Sequence, residues 1–70
     1  DLQGADMFTV GQEVFPKWSQ RLPAFTVARV GAVMITLMDD GGNRETMHKD
    51  DIVARDPAVV YSAPRYEALG

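Results

Sequence analysis

Seventy residues with ten acidic against seven basic side chains, a net charge of −3 and no cysteine make at most one small domain. Disulfides and thiolate zinc sites are excluded, and a single histidine cannot build a His-rich metal centre. The charge has the wrong sign for phosphate-backbone binding, which needs clustered Lys and Arg, and here the basic residues are scattered with acids between them.

A chain this short buries only about 60% of its unfolded surface. Stability must therefore come from a compact apolar core, which the 46% hydrophobic content can supply. The longest apolar run, 32–38, falls far short of a membrane span, and no signal-peptide pattern is visible, so no membrane partner is expected. Absence of cysteine suits a reducing, intracellular compartment.

In chain order, residues 1–7 contain Gly4 and no periodic pattern and read as a disordered N-terminal segment. Val14, Pro16 and Trp18 then alternate with Phe15 and Lys17, the period of a strand ending at Trp18. Pro16 lacks the N–H that a ladder needs, which places it at an edge or a bulge. After a connection over 19–23, a second strand rich in β-branched residues is expected over 24–30, ended by Gly31. A third, over 32–38, is nearly all apolar and is expected to be buried on both faces. Asp39 to Asn43 reads as a hairpin turn in which Gly41 and Gly42 both supply positive φ. A fourth strand is expected over 44–48, one helical turn over 50–52 and a brief fifth strand over 52–54, with Asp56-Pro57 closing the domain.

Five short strands with turn residues between them and no long helical pattern predict an all-β domain, a small five-stranded barrel over 8–57. The tail, 58–70, is expected to be extended or partly helical. Phe8, Phe15, Val27, Val33, Ile35, Leu37, Ile52 and Val53 are the expected core.

Candidate chemistry concentrates in the acidic stretch after the third strand. Counted as an EF-hand from Asp39, the third position is Gly41, the fifth Asn43 and the twelfth Asp50; the central glycine is displaced and no flanking helices are expected. Asp39 and Asp40 are adjacent, so on a strand they face opposite ways and cannot share a proton. His48 beside Lys49 at a strand end reads as solvated rather than as a general base. No catalytic residues, metal or cofactor are expected. The aromatics are more informative. Trp18 and Phe25 flank the first connection, and two aromatic walls at one barrel end attract a cation such as a methylated ammonium. The competing reading is that a lone tryptophan packs in the core.

The order Val10-Gly11-Gln12-Glu13-Val14-Phe15-Pro16-Lys17-Trp18, then Phe25, then Leu37-Met38-Asp39-Asp40-Gly41, then Lys49-Asp50-Asp51-Ile52 resembles a tudor domain, a reader of the SH3-like barrel group. It is most similar to the tudor modules of DNA-damage mediator and Polycomb-like chromatin proteins, and the likeness spans 8–56. The resemblance implies a nuclear, non-catalytic reader of a methylated lysine or arginine in a histone or other protein peptide, with a second barrel able to adjoin it. It implies Trp18 and Phe25 as cage walls, Asp40 as the carboxylate that pairs with the ligand N–H, and Met38 where the family carries a further aromatic. Tyr61 or Tyr66 would complete the cage if the tail folds back. The alternative is a cage-less SH3-like barrel that serves as a protein-interaction or assembly module, with nucleic-acid binding a more distant third reading.

Overall fold

In the computed structural model, residues 7–61 are described. They form β1 (Glu13–Pro16), β2 (Phe25–Val30), β3 (Met34–Met38), β4 (Arg44–His48), one 3-10 turn (Lys49–Asp51) and β5 (Ile52–Ala54). Every pairing is antiparallel, and a single sheet runs in the order β4-β3-β2-β1-β5. The architecture is all-β, and a four-stranded meander whose fifth strand returns to the first is consistent with a small SH3-like barrel. β4 and β5 are the two edges of this ladder. Residues 1–6, and with 62–70 the expected partly helical part of the tail, lie outside the described residues.

Alternation along each strand sorts the side chains onto two faces. The inner face gathers Val14, Val27, Ile35, Leu37 and Ile52 into the core, with Phe8, Phe25 and Met47 packed against its margin. Between Val27 and Arg29 the register against β3 shifts by one residue. Such a bulge increases twist and bends the strand, and here it curls β2 between its pairings with β1 and β3.

β1 departs from the sequence expectation in an instructive way. It stops at Pro16, and Trp18 falls in a turn closed by the Ser19 N–H donating to the Pro16 carbonyl at 3.1 Å. Lys17 N–H donates to the Asp51 carbonyl and Arg55 N–H to the Glu13 carbonyl, so the backbone groups of residues 13, 15 and 17 point toward β5. The missing N–H of Pro16 therefore lies on the β2 side, where pairing has already ended at Val14 opposite Phe25. Alternation does not set burial here: Val14, Phe15 and Pro16 are all buried, because the outer face of β1 is covered as well.

Other differences have equally local causes. β3 is fully buried on one face only, since Ile35 and Leu37 are buried whereas Met34 is exposed and Thr36 and Met38 are half-covered. Val33, expected in the core, lies half-exposed in the β2–β3 connection. Gly31 has a packing reason for being there, because a Cβ would come within 2.6 Å of the Met34 carbonyl oxygen that its own N–H binds. In the β3–β4 turn only Gly42 takes positive φ, at 87°; Gly41 does not. The expected core otherwise holds for Phe15, Val27, Ile35, Leu37 and Ile52, with Phe8 and Val53 half-buried and Val14 added.

Candidate functional site at the barrel mouth

Because neighbouring strands run antiparallel, the β1–β2 connection and the β3–β4 turn meet at the same end of the barrel. The pairing of Thr26 with Met38, carried one step further, sets Phe25 opposite Asp39. Asp39 N–H donates to the Asn43 carbonyl at 2.9 Å, which adds Asn43 to the same row. Glu45, paired with the core residue Leu37, shares that face one row down. Phe25, Asp39, Asn43 and Glu45, together with Arg44, line a hollow of about 160 Å³.

Hydrogen bonding divides the work among these carboxylates. Asp39 Oδ1 accepts from the N–H groups of Gly41 and Asn43, both at 2.9 Å, and Oδ2 accepts from Asn43 Nδ2 at 3.2 Å. Bonds to the charged form favour it, so the Asn43 backbone N–H first, then the Asn43 side chain, hold the Asp39 carboxyl below its ordinary value. Its lone pairs serve the turn, an Asp side chain mimicking a backbone acceptor. Asp40 is exposed in the turn and does not line the hollow. Glu45 has no ion-pair partner among the described residues and is the carboxylate at the hollow free to meet a ligand.

The predicted cage residues are thus distributed unevenly. Trp18 stands on the β1–β2 connection at this end, 68% exposed, beside the Gln20 side chain that donates to the Lys17 carbonyl. It does not line the hollow, and no contact joins its ring to Phe25 among the described residues. Met38 is one step out of phase with Leu37, on the outer face between Thr26 and Arg44, and so faces away from Phe25. Tyr61 lies against Phe15 with ring centroids 4.5 Å apart, and its hydroxyl accepts from Asp56 N–H at 2.8 Å. The Arg55 guanidinium lies 6.0 Å from the centre of the Tyr61 ring. Tyr66 lies outside the described residues. Sequence reasoning missed Glu45; the available signal was the turn, since a register joining residues 39 and 43 puts 45 in phase with 37.

Elsewhere, His48 Nδ1 accepts from Asp50 N–H at 3.0 Å and caps the 3-10 turn. Among the described residues no group of three or more His, Cys, Asp or Glu is placed to hold a metal ion. Comparison of the chain with protein-family models, with curated proteins and with solved structures finds no match in any of the three.

Proposed function

We propose that this domain is a non-catalytic binding module that takes a methylated lysine or arginine side chain of a protein partner at the barrel mouth. The observation that carries the reading is the exposure of Trp18 at the end where Phe25 and Glu45 line an open hollow. A tryptophan that served the core would be covered; this one presents its indole to solvent at the same end as the Phe25 ring and the Glu45 carboxylate. Phe25 supplies a ring face, Glu45 the charge, and Trp18 a wall that closes from its loop onto the bound cation. In this reading Glu45 takes the role that the family resemblance gives to Asp40. Methylated, basic chromatin peptides such as histone tails have the matching chemistry, and a nuclear location goes with them.

One ring face and one loop-borne indole make a weak site. An exposed cation–π contact contributes about 0.5–1 kcal/mol, so affinity on the order of 1 mM is expected for the side chain alone. The test is a titration of trimethyl-, dimethyl- and unmodified lysine peptides, and dimethyl-arginine ones, followed by Trp18 fluorescence. Saturable quenching by methylated peptides, weakened in Glu45→Gln but kept in Asp40→Asn, supports the reading, as does loss of the peptide-induced Phe25 and Glu45 amide shifts in Trp18→Ala. No response at millimolar peptide removes it. A cage-less interaction module is the second reading, favoured by the absence of a ring facing Phe25 among the described residues. It predicts partner binding that Trp18→Ala leaves intact.

A further inference from the structure

The edge strand next to the hollow has a property of its own. Asp39 N–H bonds the Asn43 carbonyl, and Lys49 N–H bonds the Val33 carbonyl at 2.9 Å. Residues 43, 45, 47 and 49 therefore point their backbone groups at β3. The N–H and C=O groups of Arg44, Thr46 and His48 point the other way, off the sheet, because β4 has β3 as its one neighbour. Among the described residues the N–H groups of Arg44, Thr46 and His48 and the carbonyls of Arg44 and Thr46 have no backbone partner, whereas the His48 carbonyl starts the 3-10 turn that His48 caps. A row of unpaired donors and acceptors is a template for another strand.

Proteins ordinarily blunt such an edge with proline, bulges or inward charges. β4 has no proline, and its pairing with β3 runs without a register shift from Arg44 to His48; its one inward-facing charge, Glu45, lies at the hollow. The strand is regular, and its central outward residue is the small, β-branched Thr46. β5, the other edge, is only three residues long. The hollow lies at the start of β4, lined by its first two residues, Arg44 and Glu45. The hollow itself is lined by two carboxylates, Asp39 and Glu45, against one guanidinium, Arg44, in a chain of net charge −3.

We propose that the β4 edge receives an extended, basic segment of a protein partner as a sixth strand, its cationic side chain turned into the hollow beside Phe25 and Glu45. Main-chain bonds to Arg44, Thr46 and the His48 N–H give affinity that the weak cation site lacks, and the hollow gives selectivity. The inference rests on the proposed reading of the mouth, but its main-chain part can be measured separately.

Two probes separate them: free Nε-dimethyl-lysine, and a short peptide of alternating Thr and Ala with one central dimethyl-lysine. The peptide is expected to slow amide exchange at Thr46 and His48 by about tenfold at saturation and to bind more tightly than the free amino acid. Thr46→Pro removes one outward N–H, and proline is tolerated at an edge position whose N–H faces solvent. It is expected to weaken the peptide by about tenfold, the loss of one main-chain bond, while free dimethyl-lysine binds as before. A peptide methylated on its backbone nitrogens tests the same bonds without altering the protein. If the peptide shifts Phe25 and Glu45 yet leaves Thr46 exchange unchanged and binds Thr46→Pro equally, strand addition is overturned and the mouth reading stands. If Thr46 is protected without any shift at the mouth, strand addition stands and the cation site falls. If neither responds, both fall. Protection of Thr46 that rises with protein concentration in the absence of peptide assigns the edge to a second copy and overturns the proposal.

Discussion

Two aromatic clusters sit on opposite faces of this small sheet, and only one is complete. On the outer face Phe15 is fully buried against Tyr61, whose hydroxyl is held by Asp56 and whose ring has Arg55 at the outer limit of cation–π range. Arg55 in turn bonds Glu13 at 2.9 Å across β1 and β5. Rings, cation and carboxylate are all supplied by the chain itself. At the mouth Phe25 is half-covered, Trp18 is exposed and Glu45 is unpaired, with no cation over either ring among the described residues. The same ingredients thus make a latch where every partner is internal and a candidate site where one is missing.

Mutations sharpen that contrast, and the largest effect belongs to the latch. Phe15→Ala is expected to cost about 3–5 kcal/mol, the usual range for a buried phenylalanine, which is most of the stability of so small a domain; thermal or urea unfolding measures it. Phe25→Ala is expected to cost roughly 1–2 kcal/mol, because half-burial leaves only part of the transfer term, and to abolish methyl-ligand binding. Tyr61→Phe keeps the ring and removes the acceptor for Asp56 N–H, for a loss of about 1 kcal/mol with ligand binding unchanged. Trp18→Ala is expected to move stability by less than about 0.5 kcal/mol while removing the ligand response. A Trp18→Ala variant that unfolds, or a Tyr61→Phe variant that loses ligand, would reverse the assignment of the two clusters.

The smallest expected effect is a titration. The folded-state pKa of Asp39 lies below the ordinary 3.8, so its contribution is fully present above 3.8 and is lost as pH falls through the folded value. The Gly41 and Asn43 amide resonances, whose N–H groups bind this carboxylate, are expected to shift with a midpoint below 3.8. Asp39→Asn removes that titration. A midpoint at or above 3.8 would mean that the turn is not held by this carboxylate.

What could be read in the residues follows their physics. Glycine and aspartate mark the β3–β4 turn through local bonds, and β-branched runs mark β2 and β3, so the strand count and most of the core were legible. The end of β1 was not, because Pro16 and Trp18 continue a period of two that the backbone abandons once Lys17 is drawn to Asp51. Burial of Phe15 was predicted, but its cause lies about forty-six positions away in Tyr61, a contact that no local pattern encodes. Within the site, Trp18 and Phe25 were found as aromatics flanking one connection. Met38 and Asp40 were placed by order along the chain, whereas the side a residue faces depends on register: Met38 falls on the outer face, and Glu45 takes the position at the hollow.

The central claim is that the mouth is the site and the latch is not. Its most direct measurement is amide and indole shift mapping during titration with a dimethyl-lysine peptide. The expected result is that Phe25, Asn43, Glu45 and the Trp18 indole N–H move together along one saturation curve, while Arg55, Asp56 and Tyr61 stay still. Shifts concentrated at Arg55 and Tyr61, or none at the mouth at millimolar peptide, would contradict it.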